Sequence, residues 1–180
     1  DKPILGFQSP DDYIDAYSNL GHAYNAIGLK DRAVYFLNAA IAKDPNAYKA
    51  YCNLGYVYLE KGDTDKAIAF FKKAISIKKE HYEPHYCLGN LYIKKGNYPE
   101  ALDEYKKALK FGLDDAEIYN KLGFACVKNK RYKEAEDAFR RSLNLNNNLL
   151  EPHNNLGNLY SMFGYFDLAI EEYTQALKIE

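Results

Sequence analysis

The chain has 180 residues, with 24 lysines and arginines against 25 aspartates and glutamates, so its formal net charge is −1. This balance leaves no electrostatic footprint for nucleic acid or an anionic membrane, and we expect neither as a partner. Apolar residues make up 47% of the chain, enough for a continuous core, and no apolar run approaches the length of a membrane span. The three cysteines follow no disulfide or zinc spacing, which favours reduced thiols and a cytoplasmic location.

Residues 1–13 precede the repetitive part of the sequence. Ile4, Leu5 and Phe7 form an apolar cluster there. We expect this extension to cap the first structural unit, and the alternative is a short extended segment that docks in a groove. The sequence starts at Asp1 without a methionine, which we interpret as the start of an excised fragment.

From Ile14 onward the sequence repeats with a period of 34 residues. Five Leu-Gly pairs mark the period: Leu20-Gly21, Leu54-Gly55, Leu88-Gly89, Leu122-Gly123 and Leu156-Gly157. A fixed period of this length is typical of stacked repeat proteins, which present a long surface to a partner more often than a pocket to a substrate. The predicted units are residues 14–47, 48–81, 82–115, 116–149 and 150–180.

Each unit is predicted to form two helices. With Ile14 as position 1, positions 4, 7, 8 and 11 share one helical face, and so do positions 20, 24, 27 and 28. Position 15 is glycine in four units and Lys130 in the fourth, where a first helix would end. Helix A therefore covers about positions 1–14 and helix B about positions 17–31. Small residues at positions 8, 20 and 27 indicate that the two helix backbones approach closely.

This pattern resembles the tetratricopeptide repeat (TPR) family, whose signature has Leu-Gly at 7–8, Tyr at 11, Ala at 20, an aromatic residue at 24 and Ala at 27. The resemblance covers residues 14–180 and implies an all-α fold, a right-handed superhelical α-solenoid of antiparallel helix pairs. The signature also has an aromatic residue at position 4 and Pro at position 32. In this chain position 4 is never Trp, and position 32 is Pro only at Pro45. The fourth unit also departs from the signature, because Cys126 replaces the tyrosine of position 11.

The resemblance further implies that helix A lines a concave groove, with positions 2, 5, 6, 9, 12 and 13 facing it. Its middle is apolar and its ends are rich in asparagine, whose amide both donates and accepts hydrogen bonds. We predict a peptide-binding surface made of these residues: Asn19, His22, Asn53, Tyr56, Leu59, Tyr86, Asn90, Ile93, Asn120, Lys121, Phe124, Val127, Asn154, Asn155 and Asn158. The simpler alternative is a solvated face with no ligand. The carboxylate clamp of TPR co-chaperones does not fit any unit.

Other candidate sites carry less weight. His81 and His85 have the i, i+4 spacing of metal ligands, but His85 occupies a core position, so we expect no metal. A basic pair recurs at positions 25–26 of helix B, but the spacings Asp103–Lys107 and Asp137–Arg141 predict ordinary surface ion pairs. No nucleophile–base pair or phosphate-binding loop is present, and we predict no catalytic residue, no cofactor and no enzyme activity.

The predicted function is a non-enzymatic protein–protein interaction module that binds a peptide segment of a partner in the groove. One alternative is the substrate-recruiting TPR region of a larger, glycosyltransferase-like enzyme. The other is a self-assembling scaffold. The sequence stops within the last turn of helix B, where Ile170, Leu177 and Ile179 would leave an apolar face exposed. We therefore expect that the native protein continues or that this helix associates with another copy.

Overall fold

The computed structural model describes the backbone of residues 10–179 and the side chains from Asp12 onward. This part of the chain is built from helices joined by short turns. The helices are α1 (Pro10–Ala26), α2 (Lys30–Lys43), α3 (Tyr48–Glu60), α4 (Thr64–Ile77), α5 (Tyr82–Lys95), α6 (Tyr98–Lys110), α7 (Ala116–Lys128), α8 (Tyr132–Leu145), α9 (Leu150–Met162) and α10 (Phe166–Ala176). The all-α fold of helix pairs is therefore confirmed.

The predicted and observed helix ends differ mainly at the two ends of the array. α1 begins at Pro10, four residues before the first repeat, and α10 ends at Ala176. The proposed cap residues Ile4, Leu5 and Phe7 lie outside the described residues. The helices form two compact units, one reaching to Pro84 and the other beginning at His85.

The first unit has its core between α1, α2 and α3, with α4 packed on α3. Ala33, Leu37, Leu54 and Val57 are completely buried there. In the second unit α7 pairs with α8 and α9 with α10, while α6 packs on α7 and α8 on α9. The helices in these contacts thus bury the apolar stripes that their sequence periodicity predicts.

A large side chain from helix B packs on the glycine of each Leu-Gly pair. A Cβ atom added to Gly55 would lie 2.7 Å from the Phe71 ring, and one added to Gly123 would lie 2.5 Å from the Phe139 ring. The sequence interpretation expected a close approach of two backbones. The structure shows the large residue of position 24 packed directly on the glycine, a ring in four repeats and Leu37 in the first, so the glycine leaves room for that side chain.

The turn between helices A and B repeats one backbone geometry. Gly62 has a φ of +79° and Lys130, the exception in that column, has a φ of +59°. In both turns the next residue donates its amide back to the helix, Asp63 N to Tyr58 O and Arg131 N to Cys126 O, each at 2.9 Å. Both turns are Schellman endings, and the end of the first helix lies where the glycines of position 15 predicted it.

Candidate functional site

The first unit carries five residues of the predicted surface on two helices, Asn19, His22, Asn53, Tyr56 and Leu59. The two on α1 are exposed and the three on α3 are half-buried. Asn53 Nδ2 donates to the Ser18 carbonyl oxygen at 3.2 Å, and the Tyr56 hydroxyl donates to Glu83 Oε1 at 2.9 Å. Both side chains therefore join neighbouring A helices as well as facing outward.

The second unit brings most of its predicted residues around one cavity of about 580 Å³. The lining comes from α5, α6, α7 and α9, namely Asn90, Ile93, Lys94, Tyr105, Asn120, Lys121, Phe124, Glu151, Asn154 and Asn155. Seven of these ten belong to the predicted surface. Tyr86, Val127 and Asn158 are predicted residues that do not line the cavity. The cavity arises because three successive A helices present equivalent positions on the same side.

Tyr105 was missed as a cavity residue, because position 24 is a core column. Its ring lies over Gly89, and its hydroxyl donates to Asn90 Oδ1 at 2.8 Å. The same pairing occurs in the fifth repeat, where the Tyr173 hydroxyl donates to Asn158 Oδ1 at 2.8 Å. A signal was present in the sequence, since tyrosine stands at position 24 only in the two repeats with asparagine at position 9.

Asn120 forms the centre of a hydrogen-bonded wall between α7 and α9. It is buried, with 7% of its surface exposed. Its Nδ2 donates to Glu151 Oε2 at 3.1 Å, and its Oδ1 accepts from Asn155 Nδ2 at 2.9 Å. Asn120 therefore orients the wall, while Asn155 keeps its amide oxygen for another donor. Within the described chain Asn154 makes no hydrogen bond through its side chain.

The rim of the cavity holds charges of both signs. Lys94 is exposed on α5 and has no ionic partner among residues 10–179. Lys121 Nζ lies 3.2 Å from Glu117 Oε1 on the same helix, whereas Glu151 stands on α9 and accepts a hydrogen bond from Asn120. The cavity thus has an unpaired ammonium on one wall and a carboxylate without a cationic partner on the other.

Glutamates stand at position 2 of the last three repeats, Glu83, Glu117 and Glu151, and each accepts a hydrogen bond from the preceding A helix. The Tyr86 hydroxyl donates to Glu117 Oε1 at 2.6 Å, and this bond is the largest cause of the lowered pKa of the Glu117 carboxyl. Burial, reinforced by the same hydrogen bond, raises the pKa of the Tyr86 hydroxyl. These carboxylates are therefore engaged by the protein itself.

The apolar floor of the cavity consists of Ile93 and Phe124, both half-buried. Lys128 Nζ lies 5.1 Å from the centre of the Phe124 ring, a cation–π contact that covers part of the ring from the end of α7. Ile93 and Phe124 can therefore receive an apolar group of moderate size, with amides and charges around it.

The other candidate sites of the sequence resolve into packing and surface contacts. His85 is buried, and its Nδ1 lies 2.5 Å from Glu104 Oε2. Among the described residues no group of three or more His, Cys, Asp or Glu side chains is placed to hold a metal ion. Lys107 pairs with Asp103 at 2.5 Å as predicted, whereas Arg141 lies 3.8 Å from Asp114.

The cysteines and the helix lengths give two further facts. Cys52, Cys87 and Cys126 are buried thiols, and burial raises the pKa of Cys126 to about 11. In the region that the structure describes, every helix is too short or too polar to cross a bilayer.

Family models of the tetratricopeptide repeat match the sequence across almost its whole length. Models described as tetratricopeptide repeat match residues 14–46, 48–81, 70–103 and 114–179, and one described as TPR repeat matches residues 89–130. A search of curated proteins finds no match.

Many solved structures share the fold. MamA residues 41 to the end from Desulfovibrio magneticus RS-1 superimposes with a TM-score of 0.86 at 20% identity, covering 95% of this chain and 97% of that one. YrrB, a TPR protein with an unusual peptide-binding site, gives 0.83 at 24% identity over 91% of this chain and 84% of that one. Pseudomonas aeruginosa PilF gives 0.80 at 21% identity, covering 95% and 78%. These likenesses concern the fold.

Proposed function

The chain belongs to the tetratricopeptide repeat family, and we propose that it is a non-enzymatic interaction module whose second unit binds a peptide segment of another protein. The observation that carries the proposal is the cavity of about 580 Å³ built by α5, α7 and α9. Its volume lies in the range of about 300–1,000 Å³ typical of ligand sites. The peptide-binding description of YrrB, which has the same fold, supports the same class of ligand.

The chemistry of the lining favours a peptide. Ile93 and Phe124 offer contact to an apolar side chain, and aromatic anchors of this kind supply much of the affinity of interfaces. The Asn154 side chain can donate a hydrogen bond to an extended peptide backbone and accept one from it. The amide oxygen of Asn155 can accept a further one. Main-chain hydrogen bonds combined with pockets for side chains are one recurring mode of peptide recognition.

The charges add a direction to the bound segment. Lys94 on α5 attracts an acidic side chain or a terminal carboxylate, whereas Glu151 on α9 attracts a basic group. We therefore expect a segment with an apolar residue at its centre, an acidic group on the α5 side and a basic group on the α9 side. The first-unit residues Asn19, His22, Asn53, Tyr56 and Leu59 stay a predicted extension of this surface.

Two other functional predictions remain. The chain would serve a larger enzyme as its substrate-recruiting region if a catalytic domain lies elsewhere in the full-length gene product, whose sequence discriminates the two cases. Self-association through the outer face of α10 and Leu177, the residue that follows it, is the second, because Ile170 is 62% and Leu177 is 83% exposed.

The test begins with a displayed random peptide library selected on the wild-type chain, which assumes nothing about the sequence of the bound peptide. The affinity of each selected peptide is then measured by fluorescence polarisation. Phe124→Ala should weaken binding by about tenfold or more, the range expected for a central aromatic anchor. Lys94→Glu should reduce the affinity of peptides that carry an acidic residue and spare those without one.

The matched control is Tyr35→Ala, which removes an exposed aromatic side chain from helix B of the first repeat. Its affinity should equal that of the wild type, and circular dichroism should show unchanged helix content in all variants. The proposal fails if the library yields no peptide, or if Phe124→Ala binds the selected peptides as tightly as the wild type.

A further inference from the structure

The turn between α9 and α10 forms an exposed apolar surface, which we name the aromatic turn. Its members are Met162, Phe163, Tyr165, Phe166 and Leu168, with exposed fractions of 54%, 49%, 59%, 63% and 42%. Large apolar side chains clustered at this exposure are unusual on a protein surface and mark interaction sites.

The fold does not require Met162, Phe163 and Leu168 to be apolar, whereas the position of Phe166 also holds an aromatic residue in Tyr98 and Tyr132. The equivalent side chains of the middle repeats are mostly charged: Glu60, Lys94 and Lys128 for Met162, Lys61 and Lys95 for Phe163, and Lys66, Glu100 and Glu134 for Leu168. Lys61, Lys95, Lys66 and Glu100 are exposed although further repeats follow them in the chain. Stacking of another repeat therefore leaves the positions of Met162, Phe163 and Leu168 open. The position of Phe166 differs, because its equivalent Tyr132 contacts Phe163 of the following repeat.

A recess lies directly beside the aromatic turn. It has a volume of about 210 Å³ between the start of α8 and the end of α9, and Phe163 and Tyr165 belong to both features. Tyr132 and Leu159 complete its apolar lining, and the Tyr132 and Phe163 rings meet edge to face at 5.1 Å. Exposed aromatic side chains and an apolar recess are thus neighbours on one surface.

Two polar groups that line the recess, the Tyr160 hydroxyl and the Glu136 carboxylate, are already hydrogen-bonded. Arg140 Nη2 donates to the Tyr160 hydroxyl at 2.6 Å, and that hydroxyl donates to Glu136 Oε1 at 2.9 Å. An incoming ring would therefore leave no polar atom of this network without a partner, which removes the main penalty for covering it.

The charges beside the aromatic turn have opposite signs on its two sides. Lys133 lies at the recess on α8, and Asp167 and Glu171 lie on α10. In the described structure none of the three forms an ion pair. A two-fold axis through Phe163 and Tyr165 exchanges the two sides, so it brings the basic side of one copy onto the acidic side of the other.

We propose that the aromatic turn binds the aromatic turn of a second copy of this chain and forms a two-fold symmetric dimer. Phe166 and Leu168 of each copy enter the recess of the other, and Lys133 faces Asp167 across the interface. The same patch serves both subunits, as a closed two-fold contact requires. Aromatic residues and methionine are enriched at such interfaces. The dimer goes beyond peptide capture and leaves the cavity between α5, α7 and α9 open.

The first experiment measures the mass of the wild-type chain by sedimentation across the micromolar range. We expect a monomer–dimer equilibrium. The variant Met162→Lys/Phe163→Lys/Leu168→Lys takes its lysines from the equivalent positions of other repeats, so it should fold normally and stay monomeric. Circular dichroism and thermal melting verify the folding. A wild-type chain that remains monomeric at every concentration overturns the proposal.

Two controls separate this surface from others. Tyr35→Asp removes an exposed aromatic residue at a position where Asp103 and Asp137 stand in other repeats, and it should leave the dimer unchanged. Leu177→Lys tests the outer face of α10. If Leu177→Lys abolishes the dimer while the triple variant keeps it, the α10 face is the interface and the proposal is wrong.

Charge reversal tests the two-fold geometry. Lys133→Glu and Asp167→Lys should each weaken dimerisation by about tenfold, since close interfacial pairs contribute about 1.4 kcal/mol or more. An equal mixture of the two variants should form a mixed dimer as stable as the wild type, because one Lys133–Asp167 pair is retained and the other re-forms with its charges reversed. A mixture as weak as the single variants overturns the pairing. Open-ended polymers, or binding to anionic vesicles without dimers, overturn the closed dimer.

Discussion

The second and fourth repeats reach the same backbone with different side chains. In the second repeat the rings of Tyr58 and Phe70 stack at 5.3 Å on the outer side of the helix pair. The fourth repeat has Cys126 and Ala138 at these positions, and a recess of about 250 Å³ lies between α7 and α8.

The turns of the two repeats also keep one backbone geometry with different residues. Gly62 adopts the left-handed conformation without strain, whereas Lys130 adopts it with a side chain, yet both turns keep the same closing hydrogen bonds. The contact that both repeats retain is the ring of position 24 on the glycine of position 8. We infer that this contact specifies the helix pair, and that the outer stack and the turn residue adjust its stability.

The largest expected effect comes from breaking the shared contact. Gly55→Val and Gly123→Val should each lower the free energy of unfolding by about 2–3 kcal/mol, because the new side chain overlaps Phe71 or Phe139. Urea denaturation measures the loss. If overlap with the Phe139 ring causes the destabilisation, the double variant Gly123→Val/Phe139→Ala should lose less free energy of unfolding than the two single variants lose together. Strictly additive losses would contradict the shared-contact inference.

Filling the recess of the fourth repeat should have the next largest effect. Cys126→Tyr/Ala138→Phe copies Tyr58 and Phe70 and should raise the free energy of unfolding by about 1–2 kcal/mol, the usual gain from cavity filling. The measurement is again urea denaturation, with Tyr58→Cys/Phe70→Ala as the reciprocal variant that should lose stability. A neutral or destabilising result for the filled variant would mean that the fourth repeat cannot accept the stack.

The turn residue should have the smallest effect. Lys130→Gly should stabilise the chain by about 0.5–1 kcal/mol, since it relieves a side chain held at positive φ and retains the closing bonds. Thermal melting of both Lys130→Gly and Gly62→Lys checks this prediction, because Gly62→Lys should destabilise the chain by a similar free energy. An unchanged melting temperature in both would show that the left-handed conformation carries no measurable strain here.

Much of the fold was predictable because each helix face repeats at the same positions. The start of α3 at Tyr48 and the left-handed turn at Gly62 follow from periodicity and glycine chemistry alone. The early start of α1 at Pro10 was not predicted, since those residues stand outside the repeat. The site was predictable only as a set of repeat positions. A repeat position indicates which side of a helix a residue occupies, but not which side chains from other helices it contacts.

Asn120 illustrates what the columns could not show. The sequence predicts an amide ready for a ligand, but both ends of that amide bond the protein, to Glu151 and Asn155 on the next A helix. Tyr105 illustrates the reverse, since a core position delivers a hydroxyl to Asn90 at the cavity. Hydrogen-bond partners across repeats depend on distances of about 3 Å, which a 34-residue period does not resolve.

By itself the sequence determined the repeat, its register and the helix pairs, because local propensity and apolar periodicity act within one unit. The tertiary structure decided which of the predicted surface residues gather around the cavity and which carboxylates are already engaged. It also revealed the aromatic turn beside a recess that could receive it. These outcomes depend on side chains from different helices meeting in space, and that is settled by packing.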